Sequence, residues 1–197
     1  MAEIIESGGI TPNKLIIDSK GRANVYAVTE TIVENAAENG DSFNVNTGTI
    51  NLTSANKSAL LYLKNNGEED VVISAIGYLM GNSTGGSGDV LAEVLRNPTA
   101  GTIVSGAAAV DINVNKNFGS SQSLMVDAYK GAEANTFTDG EIAYKSLLSG
   151  AARGYVIATG SVVIPNGSSI GVELTPQTGN TSMDIQVFLS IIKYKND

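Results

Sequence analysis

Residues 162–194 read VVIPNGSSIGVELTPQTGNTSMDIQVFLSIIKY. Ile170, Val172 and Leu174 recur at every second position, and so do Ile185, Val187, Leu189 and Ile191. A period of two is the pattern of strands that lie half-buried on a pleated surface. Pro165-Asn166-Gly167 and Thr178-Gly179-Asn180 are turn clusters, and the first joins Val162–Ile164 to Ile170–Leu174. The run Met183–Tyr194 is apolar on both faces around Phe188 and Ile192. That predicts a strand central in its sheet or covered by a partner.

The same period extends upstream to about Asp41. Phe43 and Val45 alternate with asparagines, and Ile50 and Leu52 with polar residues. Ala59, Leu61 and Leu63 are expected on one face, with Leu60 and Tyr62 on the other. Val71, Ile73 and Ala75 are expected to oppose Val72, Ser74 and Ile76. Val90, Ala92 and Val94 follow, then Val110, Ile112 and Val114, then Leu124, Val126 and Ala128. Asn65-Asn66-Gly67, Thr84-Gly85-Gly86, Asn97-Pro98 and Asp139-Gly140 punctuate these runs. Many short strands at such spacing predict an all-β, antiparallel sandwich or barrel. Thr138-Asp139-Gly140-Glu141 is compatible with a helix cap over Ile142–Leu148 or with a hairpin turn into a strand, and the strand is favoured.

Residues 1–40 differ and are read as an N-terminal extended arm, leaving 41–197 as the β domain. The first residues are small and polar, with Gly8-Gly9 as an expected hinge. Leu15, Ile16 and Ile17 form an apolar run, and Val25 and Tyr26 sit in a strand-like stretch. These five are the candidate contacts with a partner or a neighbouring subunit; a strand pair within the main domain is the competing reading. Thr31-Ile32-Val33-Glu34 has capping-box spacing and Asn39-Gly40 is a stop signal, so a short helix is expected at about 32–38 despite two β-branched residues.

Composition narrows the chemistry. The 197 residues include no histidine, cysteine or tryptophan. Ser-His-Asp and Cys-His catalysis, imidazole metal sites, disulfides and thiolate zinc sites are therefore unavailable. Twelve basic against twenty acidic residues give a net charge of −8, and the cations are scattered. Nucleic-acid binding needs clustered cations and is not expected. Charged residues are only 16%, against roughly 25% in ordinary domains. Asparagine, glycine, serine and threonine fill the difference. The start MAEIIESGGI lacks the basic-then-apolar pattern of a signal peptide, and no run suits a membrane span.

Carboxylates are the remaining acid–base groups. Glu68, Glu69 and Asp70 are adjacent, but a charged hairpin tip explains them better than a glycosidase pair. Gly81–Gly88 is glycine-rich yet lacks the Gly-Lys-Ser/Thr ending of a phosphate loop, so it is read as a long loop between strands Val71–Met80 and Asp89–Leu95. Asp41, Asp89, Asp111 and Asp139 lie near oxygen-rich turns, but none has calcium-loop spacing. Neither a metal nor a cofactor is expected. Asn51, Asn56, Asn82 and Asn180 match the glycosylation pattern, which matters only on a eukaryotic secretory route.

The segments TINLTS (49–54), ALLYLKN (59–65), STGGSGDV (83–90) and RNPTAGT (96–102), together with the two strand-bearing stretches within 162–194, resemble structural proteins of tailed bacteriophage virions. Small head proteins that decorate or cement the capsid are the nearest group. The resemblance covers most of 41–197. It implies a jelly-roll sandwich, often a homotrimer, synthesised in the host cytoplasm and bound to the major capsid protein on the capsid exterior. It implies no catalytic residue. Similar folds also occur in tail fibres, so a receptor-binding module for a bacterial surface glycan is the alternative, with Tyr26, Tyr62, Tyr78, Tyr129, Tyr144 and Tyr155 as its available rings.

Overall fold

The computed structural model describes residues 16–17, 23–24, 31–53, 56–105, 114–151 and 154–194. The chain divides into two compact units, Met1–Thr31 and Ile32–Asp197. In the first, β1 (Ile16–Ile17) and β2 (Ala23–Asn24) pair antiparallel, with Ile16 opposite Asn24. Ile16 and Ile17 therefore occupy a strand, while Leu15, Val25 and Tyr26 lie outside the described residues.

The second unit opens with α1 (Ile32–Glu38), at the place the cap signals predict. Gly40 ends it with φ 78°. The Asp41 N–H donates to the Ala36 carbonyl (2.7 Å) and the Gly40 N–H to the Ala37 carbonyl (3.2 Å), the paired bonds of a Schellman cap. The helix packs on the strands of this unit, so the contact boundary falls after Thr31 and places α1 with the sandwich.

Among the described residues eleven strands follow: β3 (Ser42–Asn46), β4 (Ile50–Leu52), β5 (Ser58–Asn65), β6 (Asp70–Gly85), β7 (Val90–Arg96), β8 (Val114–Asn115), β9 (Val126–Lys130), β10 (Glu141–Leu148), β11 (Gly154–Ile164), β12 (Ser169–Pro176) and β13 (Asn180–Tyr194). They form a five-stranded sheet, β10-β7-β12-β5-β9, and a six-stranded sheet, β11-β6-β13-β3-β8, with β4 also on β13. All pairings among the described residues are antiparallel. The two sheets pack face to face as a β-sandwich. Ile170, Val172 and Leu174 of β12 meet Val187, Leu189 and Ile191 of β13 in one buried cluster. Each such side chain contributes about 1.5–3 kcal/mol on leaving water. β13 is central, between β6 and the β3/β4 pair, as its apolar run predicts. Three pairings are nested in sequence: β5 with β12, β6 with β11, β7 with β10.

Bulges correct two of the expected faces. In β5, successive β12 partners are Leu61 and Ala59, and Leu60 is skipped. Leu60, Leu61 and Leu63 consequently share the main core, while Ala59 and Tyr62 face the other way into a second cluster with Ile103. In β6 the partners of Ser190 and Ile191 are Ala75 and Ile73, and Ser74 is skipped. Val71 and Ile73 point inward before this bulge, and Ile76, Tyr78 and Met80 after it. An inserted residue shifts the phase of everything beyond it, which strict alternation cannot show.

Two connections also differ from expectation. Gly81–Gly85 is strand, because the long β13 supplies a ladder partner as far as Gly85 opposite Asn180. A Cβ on Gly85 would lie 2.2 Å from the Gly179 carbonyl oxygen, so backbone closes on backbone there. Only Gly86–Asp89 remains as connection, held by Asn180, whose amide donates to the Asp89 carbonyl (3.1 Å) and whose oxygen accepts the Gly88 N–H (2.8 Å). The strand over 141–148 is present, but Asp139-Gly140 is no hairpin: β9 pairs with β5 and β10 with β7, at opposite edges of one sheet.

Glu68, Glu69 and Asp70 likewise sit at a corner between sheets, since β5 and β6 belong to different ones. Buried Asn65 holds that corner. Its amide donates to the Glu69 (2.8 Å) and Ile164 (2.9 Å) carbonyls, and its oxygen accepts the Gly67 N–H (2.9 Å). No helix among the described residues is long and apolar enough to cross a membrane.

Candidate interaction surface

The sandwich has two open sides. On one, β10 and β11 are the edges of their sheets, each paired on one flank only among the described residues. Between them lies a cleft of about 440 Å³. Its floor is Val94, Ile164 and Ile170, which belong to the core, and its walls include Ala143, Tyr144 and Val163. Tyr144 and Val163 are 43% and 50% exposed. Ile142 and Leu147, farther along β10, are exposed as well. A register shift between Ile142 and Tyr144 leaves Ala143 without a strand partner and bends this edge. Arg96 stands at the rim, 3.7 Å from Glu141, with both side chains in solvent.

On the opposite side are β8 and β9. The turn after β8 presents Phe118, which is 93% exposed. The turn itself is tightly tied. The Asn117 N–H donates to Asn115 Oδ1 (2.9 Å), and Asn117 Oδ1 accepts the Gly119 N–H (3.1 Å). Asn117 and Asn115 side-chain amides donate to the Glu38 (2.8 Å) and Gly40 (2.7 Å) carbonyls at the end of α1. Lys116 turns inward, donating to the Ser190 hydroxyl, and burial pulls its pKa below the ordinary lysine value. Val114 and Met125 are exposed on this side too.

The outer face of the five-stranded sheet carries a charge cluster. Glu93 and Glu173 are direct cross-strand partners on β7 and β12, with side chains 3% and 5% exposed. Opposed like charges are unfavourable unless neutralised. Lys57 lies 2.6 Å from Glu93 and 3.1 Å from Glu173, and Lys145 lies 2.8 Å from Glu93. Hydrogen bonds from Lys145 and Lys57 hold the Glu93 carboxyl below the usual range. Burial alone would lower Lys57, but its bonds to Glu93 and Glu173 outweigh that and raise it. A carboxylate so held keeps no proton to donate near neutral pH, and the arrangement is that of an ion-pair network. Adjacency in sequence pointed instead to Glu68–Asp70, where Glu69 pairs with Lys193 at 2.6 Å. The overlooked signal was a lone glutamate inside each of two apolar strands.

The aspartates near turns tie one loop to another. Asp139 accepts the Thr99 (2.8 Å) and Ala100 (2.9 Å) N–H groups, and Asp89 accepts that of Gly150 (2.9 Å). The Thr99 hydroxyl, which also donates to Asp139, and these N–H groups lower the Asp139 carboxyl pKa, and the Gly150 bond lowers that of Asp89. Asp111 lies outside the described residues. Among the described residues no cluster of three acidic side chains could hold a metal. Of the candidate sugar platforms, Tyr78 is fully buried, and Tyr62 is buried and stacked on Tyr129 with centroids 5.8 Å apart. No protein-family model and no curated protein matches the chain.

Proposed function

We propose that the protein is a non-enzymatic structural component of a tailed-phage virion, made in the host cytoplasm and placed on the capsid exterior. It decorates the head and stabilises it by binding the major capsid protein across capsomer junctions, as a homo-oligomer with a trimer favoured. The carrying observation is where apolar surface stays in water: among the described residues most of the exposed large apolar side chains, Val114, Phe118, Ile142, Tyr144, Leu147 and Val163 among them, stand along the sandwich edges. Apolar surface concentrated at edges is suited to association. The nested pairings β5–β12, β6–β11 and β7–β10 support a jelly-roll reading, with β13 and β3 as added strands. The acidic balance of −8 disfavours nucleic acid as the partner. Many weak contacts repeated by capsid symmetry would combine through avidity.

The β1–β2 pair is the proposed capsid contact. An Ile16→Asp/Ile17→Asp double variant of the whole chain is expected to keep its fold and oligomeric state while losing capsid binding by at least tenfold in a co-sedimentation assay. Unchanged binding would remove the arm from the reading. Cryo-electron microscopy of source virions, with the chain fitted to density, tests the location: density on the outer head supports decoration. Density at a tail tip would transfer the reading to adhesion, and absence from the particle would end both.

A further inference from the structure

We infer that copies of this chain associate head to tail, with Phe118 of one copy seated in the β10/β11 cleft of the next. The contact is between copies and stands independently of the capsid reading. Three observations carry it. First, Phe118 is 93% exposed, yet the Asn115 and Asn117 bonds fix the turn that bears it. A large apolar side chain on a rigid mount loses little conformational entropy on docking, the property of an anchor residue.

Second, the cleft offers a matching socket. A cavity of about 150 Å³ already accepts benzene, and this one measures about 440 Å³. A ring placed there would cover the exposed Tyr144 and Val163, with the core side chains Val94, Ile164 and Ile170 beneath it.

Third, the rims are complementary in charge. α1 ends beside the Phe118 turn, where the Glu38 carbonyl accepts the Asn117 amide and the Glu38 side chain is exposed. At the cleft, Arg96 is exposed, and among the described residues its ion pair is a 3.7 Å contact with the solvent-facing Glu141. Docking would let Arg96 meet the acidic end of α1 in the next copy.

Knob and socket occupy opposite sides, because β8 and β9 end the sheets at one side and β10 and β11 at the other. The contact is therefore heterologous: it closes into a ring if the rotation allows, and otherwise extends as a filament.

Sedimentation velocity of the whole chain over a range of concentrations tests this, using the wild type, Phe118→Ser, Val163→Arg and an equimolar mixture of the two variants. Both positions are half or more exposed, so native circular dichroism is expected for each. Ala143→Arg replaces Val163→Arg if that variant misfolds. The wild type should form oligomers, and each variant should weaken association by at least about 30-fold. The mixture should give a one-to-one dimer and nothing larger, because it retains one intact knob and one intact socket. A wild type that is monomeric throughout, variants that assemble like the wild type, or monomeric variants that give no mixed dimer would each overturn the inference.

Discussion

Both sheets lay a phenylalanine ring on a glycine, but from different directions. In the six-stranded sheet, Phe188 of β13 lies over its cross-strand partner Gly77, where a Cβ would come within 1.9 Å of the ring. The ring belongs to the sheet, and nothing else is needed to place it. In the five-stranded sheet, the ring on Gly171 is Phe137, which arrives on the connection between β9 and β10. That connection and the segment after β7 roof the sheet: Ile103, Val104 and Phe137 pack over Ala59, Tyr62 and Tyr129. The consequence is visible along the strands. β13 alternates buried with half-buried residues, whereas β5 and β12 are buried on both faces. A roof from the same chain can thus do what a partner subunit would otherwise do, and it lets two opposed glutamates stay at the sheet surface out of water.

The roof is most vulnerable at its hinge. A Cβ on Gly131 would sit 1.8 Å from the Ala59 carbonyl oxygen, a clash with backbone that only lifting the segment relieves. Gly131→Ala should therefore cost about 3 kcal/mol or more in urea unfolding. At Gly77 the obstacle is the swinging end of Phe188, so Gly77→Ala should cost only about 1 kcal/mol. Equal losses would mean that the roof yields as easily as a side chain.

Removing the rings comes next. Phe137→Ala opens the satellite cluster and should cost about 2 kcal/mol, and Phe188→Ala on the half-exposed face about 1 kcal/mol. Thermal unfolding of the two variants orders them, and a reversed order would show the six-stranded face to be the better-covered one.

A comparably small effect is electrostatic. Lys145 and Lys57 hold Glu93 ionised, so its folded pKa lies below its unfolded one. The stabilisation is complete above the unfolded glutamate value, about 4.3, and disappears as pH falls through the lower folded value. Glu93→Gln should cost about 1 kcal/mol at pH 7, since both lysines remain half-exposed and screened. The gap from wild type should begin to narrow below about pH 4.3 and close as pH passes the lower folded value. A gap that persists at acid pH would assign the effect to packing.

Much of the fold was legible because alternation is a local property. The runs at Ile170–Leu174 and Ile185–Ile191, the helix stop at Asn39-Gly40 and the central place of β13 all follow from side chains a few residues apart. The bulges at Leu60 and Ser74 were not legible, because a skipped residue is defined by its partner strand. The strand through Gly81–Gly85 was hidden for a similar reason: glycine and asparagine read as loop until a second strand supplies the ladder. The candidate surface was less legible still. Phe118 follows an unremarkable Asn-Lys-Asn, and the cleft combines residues from β7, β10, β11 and β12. Of the five arm residues singled out at the start, Ile16 and Ile17 are in a described strand and the other three lie outside the described residues.

The sequence alone specifies an all-β chain without histidine, cysteine or tryptophan, with a net acidic balance and with strands and turns near their observed places. These follow from composition and short-range periodicity, which need no knowledge of what packs against what. Which strands are edges, which sheet is roofed, which glutamates meet and where apolar surface stays in water were settled by three-dimensional packing. Each of those depends on the identity of a distant neighbour, and burial is a property of the pair.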